Sequence, residues 1–275
     1  MMTAAGPTGS RSRPRRREPV FRTLEIIAST LRRAQNVDLQ FTGLDNIPAS
    51  GGAVLVLNHT SYVDFLPAAL GLRAVGRRIR FMIKSEVMDI GIMRFLVTHT
   101  GTIPVDRSQG ADAYHAAVDS LRSGEIVAVY PEATISRSFE LKEFKSGAVR
   151  MAAEAGVPMV PAIVWGAQRQ WTKGGRRNMG RSGIPIRVSY GVPIVVDVDA
   201  DMDAEILGVR DTMTAMLHEI QERYSHPAGE FWVPARLGGS APTPQEAAVI
   251  ETEEAQRKAE ARAAKAAAHD RKAKK

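Results

Sequence analysis

A chain of 275 residues with 44% hydrophobic residues can bury one substantial core, and its lack of cysteine excludes disulfides, thiolate metal sites and a cysteine nucleophile together. The formal net charge of +7 sits at the ends: residues 1–19 carry five Arg against one Glu, residues 250–275 carry eight Lys or Arg against five Asp or Glu, and the stretch between is balanced. Such tails favour a polyanionic surface, an anionic membrane first; no zinc finger, aromatic RNA-reading motif or helix-turn-helix pattern points to nucleic acid.

In chain order, residues 1–19 are rich in Arg, Pro and Gly and read as a disordered basic arm. Arg11, Arg13, Arg15, Arg16 and Arg17 do not begin an export signal, because Arg22, Glu25, Arg32 and Arg33 interrupt the apolar run that follows. No stretch approaches the roughly 18–20 apolar residues that span a bilayer. The expected location is therefore the cytoplasmic face of the cell membrane, peripheral or monotopic. Phe21, Leu24, Ile27, Ala28 and Leu31 recur at three- and four-residue intervals and predict an amphipathic helix, which either packs on the domain or presses its apolar face into lipid.

Residues 54–57, 79–83, 102–105, 126–130, 159–164 and 186–189 then read as strands, and 65–72, 111–121 and 146–154 as helices, with Gly124 and Gly156 as terminators. This alternation predicts an α/β layer structure. Residues 155–196 hold no acid, while Arg169, Lys173, Arg176, Arg177, Arg181 and Arg187 supply positive charge beside Trp165 and Trp171. The Gly-, Arg- and Lys-rich middle, 172–183, is either a solvated loop or one that meets lipid phosphate, the nucleotide end of coenzyme A or acyl carrier protein. Asp199, Asp201, Asp203, Glu205 and Asp211 open a helical stretch to Tyr224 and suit its positive end. Residues 20–240 thus form one domain, and 241–275 an Ala/Glu/Lys-rich tail that reads as a transient or solvent-exposed helix.

Chemistry concentrates where predicted strands end. In Asn58-His59-Thr60-Ser61-Tyr62-Val63-Asp64, a histidine can take a proton near neutral pH and an aspartate can fix its tautomer. Five positions along one helix turn by about 140°, so His59 must lie in the turn and Asp64 in the first turn of the next helix. The competing structural reading is a Ser61–Asp64 capping box. Gly101-Thr102-Ile103-Pro104-Val105-Asp106-Arg107 puts a guanidinium at a strand end, suited to a bidentate grip on phosphate. In Tyr130-Pro131-Glu132-Ala133-Thr134, followed by Arg137 and Phe144-Lys145-Ser146-Gly147, Glu132 can orient a substrate hydroxyl, fix Arg107 or serve a structural ion pair. Pro158 and Pro161 bracket a short apolar segment and stiffen a path such as an acyl channel. Lys84 and Lys145 are secondary phosphate candidates.

Taken in this order the blocks resemble the PlsC-like glycerolipid acyltransferase family, whose best-known members are 1-acylglycerol-3-phosphate (lysophosphatidic acid) acyltransferases. Asn58, His59 and Asp64 meet its first motif, and Gly101 to Arg107 its second. Pro131, Glu132 and Thr134 meet its third, which departs at Ala133, where the family has glycine, and at Ile135, where it has arginine; Arg137 follows two positions later. The proline motif is met by 157–161. The resemblance covers about residues 38–225, and 130–147 look particularly like an actinobacterial or mycobacterial branch.

The resemblance implies a mixed, mostly parallel central sheet flanked by helices, with an N-terminal amphipathic helix. It implies transfer of a fatty acyl group from acyl-CoA or acyl carrier protein to the free hydroxyl of lysophosphatidate, giving phosphatidate, with no bound cofactor or metal. His59 would be the base and Asp64 its partner. Arg107 would grip the acceptor phosphate and Glu132 arrange the glycerol end, with Lys84, Arg137 and Lys145 as further phosphate contacts. Asn58, Gly101, Pro131, Thr134, Gly147, Pro158 and Pro161 would support the motifs. Implied partners are anionic membrane lipid, a lysophosphatidate-like acceptor and acyl carrier protein. Competing readings are a related O-acyltransferase using glycerol 3-phosphate, a lysophospholipid or a glycolipid hydroxyl, a thioesterase, and a noncatalytic lipid-binding module.

Overall fold

The computed structural model of the protein describes residues 18–105 and 110–273. Seven strands, β1 (Asp38–Thr42), β2 (Ala53–Leu57), β3 (Ile79–Lys84), β4 (Ile103–Val105), β5 (Ile126–Val129), β6 (Met159–Trp165) and β7 (Pro185–Tyr190), form one sheet in the order β1-β7-β6-β2-β5-β3-β4. Among the described residues every neighbouring strand pair runs parallel except β6 with β7, so the sheet is mixed and mostly parallel, as expected.

The helices are α1 (Pro19–Ala34), α2 (Phe65–Ala74), α3 (Gly91–Thr100), α4 (Gly110–Arg122), α5 (Gly147–Ala155), α6 (Met202–Glu222) and α7 (Pro244–Ala273). Every residue of β2 and β6 is buried. A strand covered on both faces has no polar side to show, which is why these two are unbroken apolar runs. Val54, Val56 and Val127 meet Ala117, Leu121, Val149 and Met213 of α4, α5 and α6 on one face. Leu55, Leu57 and Val160 meet Ala68 and Leu72 of α2 on the other.

Two elements escape the sequence pattern. β1 alternates polar and apolar side chains at the sheet edge, and the ten-residue α3 carries only two fully buried residues, Val97 and Thr100. Helix α3 ends at Gly101, whose backbone is left-handed at φ 63° and whose Cα lies so close to the Arg80 side chain that a Cβ would come within 3.2 Å of it.

Helix α1 packs on α2 and α3. Glu18 pairs with Arg78 and Arg80, Glu25 with Arg73 and Arg78, and the Phe21 ring lies 5.0 Å beneath the Arg78 guanidinium. These ties rotate the docked side towards Glu25 and Ala28. Of the five residues of the predicted apolar face, Ile27 and Leu31 therefore remain 51% and 40% exposed. No helix among the described residues is long and apolar enough to cross a membrane.

After β7, the acidic run acts locally, as expected: Asp201 caps α6 by accepting from the N–H groups of Asp203 and Ala204. Helix α7 begins docked rather than free. Ala247 is buried, Glu251 pairs with Lys142 and Glu254 with Arg137.

Candidate active site

Because β2, β5 and β6 run parallel, their C-terminal ends bring the segments after Leu57, Val129 and Trp165 to one edge of the sheet. Asn58 prolongs the β2–β6 ladder with its side chain. Its Nδ2 donates to the Val164 carbonyl at 3.1 Å, and the Val164 N–H donates to its Oδ1 at 2.7 Å. That amide is fully buried, and it holds the chain where the backbone turns away at His59.

The turn closes around one carboxylate. Asp64 is 1% exposed; its Oδ2 lies 3.0 Å from His59 Nδ1 and accepts from the N–H groups of Thr60 and Ser61, each at 3.1 Å. Its Oδ1 accepts from the Tyr130 hydroxyl at 3.0 Å. Four donors satisfy a buried carboxylate that would otherwise be costly to desolvate. With both Asp64 oxygens accepting, Nδ1 of His59 is the donor of the pair, which in the neutral ring leaves the free lone pair on Nε2. The imidazole stacks on the Tyr130 ring at 4.2 Å, and 21% of the His59 side chain is exposed. Burial, and then Asp64, raise the Tyr130 phenol well above its usual pKa, so it stays a donor.

The capping-box reading holds only in part: the Ser61 N–H donates to Asp64 Oδ2 as in such a box, but the reciprocal bond from the Asp64 N–H to the Ser61 hydroxyl is not formed, and Asp64 lies one residue before α2 rather than in its first turn. The Ser61 hydroxyl faces the carbonyls of Ala167 and Trp171 and accepts from the Val63 N–H.

Glu132 sits behind His59, almost fully buried. Its Oε1 accepts from the His59 N–H at 2.7 Å and its Oε2 from the Lys142 N–H at 3.1 Å. Burial pushes its carboxyl up to about 8, against the pull of those two backbone donors. The carboxyl thus fastens the His59 turn to the 131–145 segment. Neighbouring backbone bonds reinforce it: Ser136 N–H donates to the His59 carbonyl at 2.8 Å, and Lys145 N–H to the Pro131 carbonyl at 2.9 Å.

The rest of that segment shows what its departures from the family pattern mean. Ala133 has a left-handed backbone, φ 58°, which glycine adopts without strain; Phe139 shares that φ. Ile135 is buried in the core, so the position where the family has arginine points inward here. Thr134 Oγ1 accepts from Lys142 Nζ at 2.7 Å, and the Arg137 guanidinium is held by Glu254 of α7.

The remaining candidates lie apart. Lys145 is exposed, and Gly147 opens α5. Pro158 precedes the N-terminal end of β6, at the opposite edge of the sheet from His59, and Pro161 sits within β6 beside Val56. Arg107 and the Lys84 side chain lie outside the described residues.

The structure places the segment around the 172–183 loop, for which the sequence left a solvated and a ligand-meeting role open, against the His59 turn. Trp171 O accepts from Tyr62 N–H at 3.0 Å, and Thr172 Oγ1 donates to Thr60 O at 2.7 Å, tying the basic 166–183 segment to the His59 turn. The acid-free, basic and tryptophan-bearing character of 155–196 marked the segment in the sequence, but it carried no register.

A family model described as Acyltransferase matches residues 38–165. The chain is 31% identical over 132 residues to the chloroplastic 1-acyl-sn-glycerol-3-phosphate acyltransferase LPAT1 of Arabidopsis thaliana, covering 46% of this chain and 36% of that one. It is 31% identical over 123 residues to the 1-acyl-sn-glycerol-3-phosphate acyltransferase of Bacillus subtilis, covering 44% and 60%. It is 27% identical over 206 residues to the human alpha enzyme of the same name, covering 73% and 71%. The chain thus spans between about a third and three fifths of the length of the first two relatives. The crystal structure of the 1-acyl-sn-glycerophosphate (LPA) acyltransferase PlsC from Thermotoga maritima superposes with a TM-score of 0.60 at 24% identity, over 78% of this chain and 86% of that one, a likeness of fold.

Proposed function

We propose that the protein transfers a fatty acyl group from a thioester donor, acyl-CoA or acyl carrier protein, to the free hydroxyl of lysophosphatidate. The observation that carries this reading is the His59–Asp64 pair, 3.0 Å apart at the C-terminal end of β2 and joined through Nδ1, so that Nε2 is the ring nitrogen left to take a proton. In the reaction, Nε2 takes the hydroxyl proton as the acceptor oxygen attacks the thioester carbonyl. The tetrahedral adduct then expels the thiolate, which recovers that proton from the imidazolium. Asp64 stabilises the imidazolium in between, and no acyl-enzyme forms. Glu132, bound to the His59 N–H, is a positioning residue in this scheme. Arg107 is assigned to the acceptor phosphate on its place in the second motif.

Exposed Ile26, Ile27 and Leu31 of α1, and Ile92 and Phe95 of the adjoining α3, support seating on a membrane, where the basic tails meet anionic lipid. The finer placement in an actinobacterial or mycobacterial branch rests on residues 130–147 alone; the relatives include plant, bacterial and human enzymes. Buried Ile135 and the Glu254-bound Arg137 favour one second reading, an acceptor other than lysophosphatidate, such as glycerol 3-phosphate, a lysophospholipid or a glycolipid hydroxyl.

The test is transfer of labelled palmitate from palmitoyl-CoA to lysophosphatidate in vesicles, native against His59→Ala. Labelled phosphatidate from the native protein alone is expected. Free palmitate would instead identify a thioesterase, and transfer only to another hydroxyl would replace the acceptor.

A further inference from the structure

Beside the His59 turn, between residue 173 and α7, lies a cavity of about 370 Å³ lined by Tyr62, Arg137, Lys173, Glu254, Arg257 and Lys258, among others. Four cations and one carboxylate, Glu254, line it, and two further acids of α7 act on those cations from beside it: Glu251 on Lys173, and Glu253, which lies 3.8 Å from Arg257. Glu254 pairs with the Arg137 guanidinium, but the Arg137 Nε is buried without a hydrogen-bond partner. Burial lowers the Lys173 ammonium pKa, and an added anion would offset that cost. Tyr62 is 44% exposed; its ring lies 4.8 Å from that of Trp171, over which the Arg177 guanidinium sits at 4.6 Å. Phosphate-binding charge and a surface suited to a flat ring therefore adjoin one another.

We propose that this cavity, completed by α7, binds the phosphorylated adenosine end of a coenzyme A thioester. The inference deepens the acyl-transfer reading and rests on it for the identity of the donor. Coenzyme A carries its 3′-phosphoadenosine at the far end of an extended arm from its sulfur, so its nucleotide site must adjoin the reacting histidine without including it. The cavity meets that condition. Tyr62 belongs to the 59–64 turn, and Lys173 follows Thr172, whose hydroxyl donates to Thr60 O. Glu254 is the internal counter-ion of Arg137 that the ligand phosphate supplements.

The test is calorimetric titration of the full chain at constant ionic strength with adenosine 3′,5′-bisphosphate, adenosine 5′-monophosphate, glycerol 3-phosphate and inorganic phosphate. The bisphosphate is expected to bind about tenfold more tightly than any of the others, and Lys173→Met and Lys258→Ala each to weaken it about three- to tenfold. Lys258 is an exposed residue of α7, so that variant keeps the test valid if Lys173→Met does not fold. Glu254→Gln is expected to tighten the bisphosphate by about fivefold, one like charge being removed. Equal, weak affinity for all four compounds would reduce the cavity to a basic patch, and preference for glycerol 3-phosphate would assign it to the acceptor; either overturns the proposal. Binding is read without turnover. Capture of the bisphosphate by a protein that transfers no acyl group would uphold the site and sink the proposed function; transfer without capture would do the reverse.

Discussion

Asp64→Asn separates a catalytic partner from a turn fastener. The asparagine oxygen can take the place of Oδ2 and keep the bonds to His59, Thr60 and Ser61, while its amide donates to the Tyr130 hydroxyl where Oδ1 had accepted. The geometry is therefore expected to survive and only the charge to be lost. At the 3.0 Å separation of the pair and an effective dielectric of about 20, the charge stabilises the imidazolium by on the order of 5 kcal/mol. Solvent reaching the part-exposed ring reduces this, so kcat should fall by about 10³-fold with little change in KM. Release of coenzyme A thiol, followed with a thiol reagent, is a clean assay because the protein has no cysteine of its own. A kcat within tenfold of native, at an unchanged unfolding midpoint, would refute the reasoning and leave Asp64 as a structural acceptor.

Glu132→Gln retains one acceptor for two backbone N–H groups, and should cost about 1–3 kcal/mol in urea unfolding. The native Glu132 carboxyl keeps its proton up to about 8, whereas in the unfolded chain it titrates near 4.5. The native state thus binds more protons between these values, and Glu132's contribution to stability is lost as pH rises through them; urea midpoints should show that decline flattened in Glu132→Gln. Ala133→Gly relieves the φ of 58° and is expected to gain about 0.5–1 kcal/mol, read as a rise of about 2 °C in the melting temperature. Tyr130→Phe removes a donor from Asp64 and should lower stability by about 1–2 kcal/mol; an unchanged melting temperature would show that the 3.0 Å bond carries no weight.

Local pattern revealed much of this molecule. The continuous apolar runs at 54–57 and 159–164 are strands covered on both sides, and Gly124 and Gly156 take the left-handed backbones that terminate helices. His59 and Asp64 were legible as a pair because five residues and one turn separate them. Glu132 was legible as important but not as a backbone anchor, since its partners, the N–H groups of His59 and Lys142, leave no mark on side-chain identity. Tyr130 looked like the end of a strand, and only the approach of β5 to β2 puts its hydroxyl on Asp64.

The sequence by itself determined the layer class, most strand and helix positions and the residues able to move a proton, because burial and backbone preference are written in short-range periodicity. Strand order, the antiparallel turn of β7 against β6, the docking of α7 and the role of Glu132 were decided only in the tertiary structure. Each depends on backbone groups or charges that are far apart in the chain, and residue spacing carries no record of which of them will meet.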